Sequence, residues 1–206
     1  MEKYTALYNE SIRHKESFWA AQAANLLWFK QPQNILSKNE HGFYRWFADG
    51  EMNIAYCCLD WQIEQGRGNQ IALIYDSPVT GTQQKFSYSE LKKLVANFAA
   101  GLKSKGIGKG DTVVIYMPMI PQAAIAMLAC ARIGAIHSVV FGGFAPHELA
   151  MRIDDAQPKA IISASYGVEF DKQIPYKVLV DKAIEEAKHK PSCKIFFQRS
   201  QNFDTL

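Results

Sequence analysis

The chain has 206 residues, 48% of them hydrophobic, with 23 Lys and Arg against 20 Asp and Glu for a formal net charge of +3. That length allows one large or two small domains with a proper core, and the scattered, nearly balanced charge offers no basic stripe for nucleic acid. Cys57, Cys58, Cys130 and Cys193 fit neither a disulfide framework nor zinc-ligand spacing, so reduced thiols and a cytoplasmic location are expected. The apolar run around Ala123–Ala131 is too short to span a bilayer. The opening "MEKYTALYNESIRHKESFW" has no apolar core for a signal peptide, and Glu2, Glu10 and Glu16 argue against a mitochondrial transit segment.

In chain order, the spacing of Phe18, Trp19, Ala23, Leu26 and Leu27 predicts a helix over 4–28, broken by Pro32 and "SKNEHG". "FYRWFADGEMNIAYCCLD" reads as irregular or partly extended, and Leu59–Gln65 as a short helix ending at Gly66. "IALIYD" and "KFSY" flank the turn-rich "SPVTGTQQ" and predict a hairpin. Ser87 and Glu90 have capping-box spacing, opening a helix with Leu91, Leu94, Val95, Phe98 and Leu102 on one face and a stop at Gly106. "KGDTVVIYMP" is an unbroken apolar strand of the kind buried on both faces of a parallel sheet. Pro121 starts the next helix and Gly134 ends it. Then come a strand "AIHSVVF", a helix "PHELAMRIDDA", a strand "KAIISAS", a helix "LVDKAIEEAKHK" and a strand "KIFFQ". This alternation predicts an α/β fold with a mainly parallel sheet and helices on both faces. The chain stops at "NFDTL" just after a strand, and on this reading it is the first part of a larger sheet domain.

The stretch "IYMPMIPQAAIAMLACARIGAIHSVVFGGFAPHELAMRIDDAQPKAIISAS" resembles the AMP-forming short-chain acyl-CoA synthetases, the acetyl- and propionyl-CoA ligases. "WFADGEMNIAYCCLD" is similar to their segment ahead of the adenylation fold, and "FWAAQAANLLW" to their helical N-terminal extension. "IDDAQP" and "IPYKVLVDKAIEEAKHKP" lean toward the propionate-type branch. The resemblance covers residues 4–190. It implies an N-terminal extension over 1–66 and the first part of an adenylation domain of the ANL type over 67–206. It also implies a ligase that uses ATP, coenzyme A, Mg2+ and a short-chain carboxylate. The Thr-Ser-Gly-rich loop, acyl pocket, adenine site and catalytic Lys are then expected beyond residue 206, in the remainder of the ligase chain, so no catalytic residue is assigned within the chain. This accounts for a nucleotide-enzyme scaffold with neither G-x-x-x-x-G-K-[ST] nor G-x-G-x-x-G.

One family site is implied inside the chain. In acetyl-type members a Phe-Gly-Gly turn and an R-x-x-R pair help hold the adenosine 3′-phosphate end of coenzyme A. Phe141, Gly142 and Gly143 match the turn; on the same spacing Glu169 falls on the first Arg and Lys172 on the second. Lys172 keeps the charge as a point cation. Glu169 reverses it, so coenzyme A sits differently, or Glu169 turns away or pairs with Lys172. Apart from the resemblance, glycines at a strand's carboxyl end supply positive φ or close approach, or serve a tight turn for geometry alone.

Other residues read as structural. His137 lies inside a β-branched strand as a satisfied imidazole rather than a base. Asp154 and Asp155 read as one local hydrogen-bonder and one exposed carboxylate rather than a metal pair. Trp19, Trp28, Trp46 and Trp61 read as apolar cement for the extension. "GLKSKGIGKGD" has glycines and lysines but not the spacing of a phosphate loop. A non-catalytic fragment acting as an interaction module is the competing reading, and a Rossmann dinucleotide module lacks its glycine fingerprint.

Overall fold

The computed structural model describes residues 2–170 and 172–199. The chain forms two compact units, Met1–Asn53 and Ile54–Leu206.

The first unit opens with two helices where the spacing predicts one. Helix α1 (Glu2–Arg13) and helix α2 (Lys15–Ala23) are separated at His14, whose φ of −122° and ψ of 46° leave the helical region. α2 also ends sooner than expected. Trp28 Nε1 donates to the Ala23 carbonyl at 2.9 Å and so satisfies one of the acceptors a helix end leaves open. The region read as irregular holds a small antiparallel hairpin, β1 (Leu36–Lys38) with β2 (Tyr44–Trp46). Its turn is shaped by Asn39 Oδ1, which accepts from the backbone of His41 and Phe43. Within this unit Trp19 meets Trp46 edge-on and Trp28 packs on Phe47. Asp49 accepts from the backbone N–H groups of Asn34 and Gln33, and these bonds hold its carboxyl below the usual carboxylate range.

The second unit starts with a helical run from Ile54 that includes two π-helical turns, Tyr56–Asp60 and Ile63–Arg67. It begins five residues before the predicted Leu59, and Gly66 breaks it at a φ of 77° as its lack of a Cβ allows. Buried Asp60 anchors this run. It takes a forked pair of bonds from Arg132 at 2.6 and 3.1 Å and a third from Lys92 at 2.9 Å. Burial alone would raise the Asp60 pKa, but the two cations outweigh it and hold the carboxyl low.

The predicted hairpin is β3 (Ile71–Ser77) with β4 (Thr82–Ser87). The capping box forms as expected: Ser87 Oγ accepts from Glu90 N while the Glu90 carboxylate accepts from Ser87 N, opening α3 (Tyr88–Ser104). Then follow β5 (Thr112–Tyr116), α4 (Pro121–Ile133), β6 (Ile136–Val140), α5 (Pro146–Ala156) and β7 (Ala160–Ala164). A small antiparallel pair that the sequence pattern did not suggest, β8 (Gly167–Glu169) with β9 (Lys172–Ile174), precedes α6 (Tyr176–Glu186) and β10 (Cys193–Phe197).

The main sheet is parallel in the order β10-β7-β5-β6. Alternation along β5 explains the layers. Val113 and Ile115 point into a core with α3 and α4, while Val114 and Tyr116 point into a core with α5 and α6. The chain leaves β5 for α4 on one face and leaves β7 for α6 on the other. The carboxyl ends of these adjacent strands therefore form the switch point where open α/β sheets bind ligands.

Candidate functional site

The Phe141–Phe144 turn leaves the carboxyl end of β6, next to β5 in the sheet. It is closed by Phe144 N donating to Phe141 O at 3.1 Å. Tyr116, the last residue of β5, holds it from below. Its hydroxyl donates to Phe144 O at 2.7 Å and lies 3.2 Å from Gly142 O. The Phe141 ring stands 71% exposed above the sheet end.

Neither Gly142 nor Gly143 has a positive φ, so left-handed geometry does not account for them. Close approach does. A Cβ on Gly142 would lie 2.1 Å from the Tyr176 hydroxyl oxygen and 3.1 Å from Met117 O. A Cβ on Gly143 would meet only the Phe141 ring, at 2.6 Å. Tyr176 also needs Gly167, where a Cβ would come within 2.5 Å of its ring. The Tyr176 ring is therefore wedged between the Gly142 turn and the β8–β9 hairpin, tilted against Tyr116 with centroids 4.9 Å apart.

The hairpin carries the other two residues of interest. Glu169 and Lys172 are directly opposed in its antiparallel register. Both are exposed, and among the described residues neither closes an ion pair with the other. The Tyr176 hydroxyl is pushed up to about 12, first by burial, then by Tyr116 and by the Glu169 carboxylate, with Arg199 opposing. Arg199 is positioned by its own N–H donating to Ser165 Oγ at 3.0 Å and by its guanidinium over the Tyr166 ring at 5.1 Å. Of the predicted site residues, Gly142 packs directly on Tyr176, Gly143 meets only the Phe141 ring, and Lys172 has no hydrogen bond to the turn among the described residues.

Sequence reasoning missed Tyr116 and Tyr176. Tyr116 closes a β-branched run and reads as one more core residue. Tyr176 follows Pro175 at a helix start, and nothing local connects it with glycines 9 and 34 residues earlier.

The amino end of the sheet gathers the other polar cluster. Lys159 Nζ donates to Gly106 O at 2.6 Å and to Asp111 Oδ2 at 3.0 Å, while Asp111 also accepts from Gly108 N at 2.8 Å. This is the Gly-Lys loop, with Gly106 and Gly110 at positive φ. Asp154 accepts from the His189 backbone N–H 35 residues away, so its bond is long-range rather than local, and Asp155 is exposed. His189 Nε2 lies 2.8 Å from Pro158 O, and Lys190 Nζ donates to the Ile184, Glu185 and Ala187 carbonyls at the end of α6. His137 is half-buried in β6, and burial lowers its pKa. No group of three His, Cys, Asp or Glu side chains gathers for a metal among the described residues, and no described helix is long and apolar enough to cross a membrane.

Comparison with known proteins gives two adjoining family matches. Residues 4–58 match the family described as "Acetyl-coenzyme A synthetase N-terminus" and residues 59–203 match "AMP-binding enzyme". The chain is 59% identical over 198 residues to an uncharacterized protein of Pseudomonas aeruginosa, covering 96% of this chain and 32% of that protein. It is 46% identical over 197 residues to the mitochondrial acyl-CoA synthetase short-chain family member 3 of Homo sapiens, covering 96% of this chain and 29% of that protein. Among solved structures it is similar to acetoacetyl-CoA synthetase from Streptomyces lividans, with a TM-score of 0.82, 22% identity and coverage of 94% and 32% of the two chains. That likeness carries the α/β fold. The chain spans about 30% of the length of the curated relatives it matches.

Proposed function

Because the chain belongs to the AMP-binding enzyme family, we propose that it is the N-terminal portion of an AMP-forming short-chain acyl-CoA ligase. The observation that carries this is the tandem order of the two matches, the acetyl-coenzyme A synthetase N-terminus over 4–58 followed at once by the AMP-binding region over 59–203. In the proposed reaction a short-chain carboxylate oxygen attacks the α-phosphorus of ATP, giving acyl-adenylate and releasing pyrophosphate. The coenzyme A thiol then attacks the acyl carbon, giving the thioester and AMP.

In this proposal the first step is assigned to no residue of this chain. The ATP and Mg2+ sites are proposed to lie in the remainder of the ligase chain, which is also the proposed macromolecular partner. What this chain contributes is a contact for coenzyme A at Phe141, Gly142 and Gly143, at the carboxyl end of the sheet. Glu169 and Lys172 flank that contact from the β8–β9 hairpin. Propionate over acetate as the preferred acid, and a cytoplasmic location, belong to the same proposal.

The competing reading as an interaction module has one observation in its favour. An apolar groove of about 650 Å³ opens on the α3–α4 face, lined by Phe86, Phe98, Ile125, Ile162 and Phe197 among others. Titration calorimetry on the 206-residue chain separates the two readings. The ligase reading expects coenzyme A to bind, weakened by Lys172→Ala, with ATP giving no heat. It also expects no pyrophosphate release with acetate or propionate. Pyrophosphate turnover by this chain alone would sink the division of labour, and a folded chain that ignores coenzyme A favours the module.

A further inference from the structure

Tyr176 is 5% exposed, and its hydroxyl has no hydrogen-bond partner among the described residues. A buried phenol ordinarily finds one, because an unmade bond leaves the desolvation of the O–H uncompensated. No side-chain nitrogen or oxygen fully shut from solvent lacks a partner among the described residues. The Tyr176 oxygen therefore keeps some contact with solvent, and it lies beside Gly142 of the turn. Its neighbour Tyr116 shows the contrast: a ring packed in the same core with a hydroxyl engaged by the turn's own carbonyls.

We propose that the Tyr176 hydroxyl donates a hydrogen bond to coenzyme A at the Phe141–Gly143 turn, and that the acceptor is an uncharged oxygen of the coenzyme rather than its 3′-phosphate. This rests on the reading of the turn as a coenzyme A contact. It departs from the phosphate end that the resemblance to acetyl-type enzymes implies.

Three features support it. The donor is held by close packing, since the ring lies against Gly142, Gly167 and the Tyr116 ring. It remains a donor under physiological conditions, because burial and the adjacent Glu169 keep the phenol protonated. The charges that reach it also select against an anion. Glu169 stands two residues beyond Gly167 on β8, and Gly167 packs on the Tyr176 ring, so a phosphate placed there meets a carboxylate, whereas an amide carbonyl of the pantetheine arm or a ribose oxygen carries no charge to repel.

The test is calorimetry of coenzyme A and 3′-dephospho-coenzyme A on the 206-residue chain and on its Tyr176→Phe variant, with circular dichroism melting of both. The expected result is a loss of about three- to tenfold in affinity for both ligands alike, with the fold retained. Equal binding by chain and variant overturns the inference while leaving the turn as the coenzyme contact. A loss confined to coenzyme A, absent for the dephospho form, overturns the uncharged acceptor. If the unaltered chain binds neither ligand, the reading of the turn falls and the inference with it. A measurement without substitution guards against a variant that does not fold. In the chain labelled with 13Cζ-tyrosine, saturating coenzyme A should shift the Tyr176 resonance, and an unmoved signal overturns the proposal.

Discussion

The two ends of the parallel sheet use similar side chains to opposite effect. At the amino end the cluster closes on itself: Lys159 spans Gly106 and Asp111, Asp154 takes the His189 N–H, and Lys190 covers three carbonyls of α6. At the carboxyl end Tyr116 is satisfied, but the hydroxyl of the largely buried Tyr176 beside it has no hydrogen-bond partner among the described residues. A closed network stabilises and has nothing left to offer a ligand. An incomplete one leaves a donor available, and the proposed coenzyme A contact is the reading that uses it. The same division follows from topology, since the switch point lies at the carboxyl ends of β5 and β7.

The largest expected effect breaks the carboxyl end. Gly142→Ala puts a Cβ at 2.1 Å from the Tyr176 oxygen with Met117 O 3.1 Å away on another side. The ring cannot retreat, because Gly167 already marks its limit of approach to the hairpin. Overpacking of this kind costs about 3 kcal/mol, read as a lower denaturation midpoint in urea. Adding Tyr176→Phe removes the clashing oxygen and should recover part of that loss, although the ring carbon at 3.0 Å prevents full recovery. Strictly additive losses in the double variant would mean that the turn moves away from the ring rather than strains against it. Gly143→Ala is the internal control. It meets only the exposed Phe141 ring, which has solvent to turn into, and should be close to neutral.

How much of this was legible in the sequence depended on whether a feature is local. β5 and β7 are unbroken apolar runs because both faces of each are buried, and that pattern is readable without a partner. The capping box at Ser87 and the glycine stops at Gly66, Gly106 and Gly134 are set by neighbours within a few positions. The β8–β9 pair was not legible, because three-residue strands carry no usable alternation. The π-helical turns around Tyr56–Arg67 differ from α spacing by one residue per turn, too little to mark in so short a run. Glu169 and Lys172, three apart, invited a pairing between turn neighbours, whereas their relation is that of opposed residues at a hairpin mouth. Gly142 and Gly143 were found on the resemblance, but the reason for Gly142 is a tyrosine 34 residues later, which no local spacing announces.

A smaller effect sharpens the amino end. Asp111→Asn keeps the shape but loses the charge that Lys159 and the Gly108 N–H address. The expected change is a fall in Tm of about 2–4 °C with coenzyme A affinity unchanged. The Lys159 contact, then the Gly108 N–H, holds the Asp111 carboxyl below its ordinary value. A carboxyl lowered on folding contributes stability above its unfolded pKa and loses it as pH falls through the folded one. The melting temperatures of chain and variant should therefore converge below about pH 4. A gap that persists into strong acid would mean that the loop is held by shape and not by this charge.

The smallest effect titrates the unused donor itself. The Tyr176 phenol is raised in the fold, so its contribution is complete below the unfolded tyrosine value near 10 and is lost as pH rises toward about 12. At pH 10.5 the unfolded chain already ionises this group while the folded chain does not, which costs about 0.8 kcal/mol relative to pH 8. Tyr176→Phe has no proton to lose and escapes this term. Urea unfolding of both proteins at the two pH values therefore isolates it: the chain should lose about that much more stability than the variant, against a background shared by Cys130 and Tyr116, which burial also raises. Equal losses would mean that the hydroxyl is hydrated in the fold as it is in the unfolded chain. A hydroxyl that water already reaches freely gives a ligand only the exchange of one bond for another, so this modest difference measures how far the Tyr176 donor is shielded in the fold.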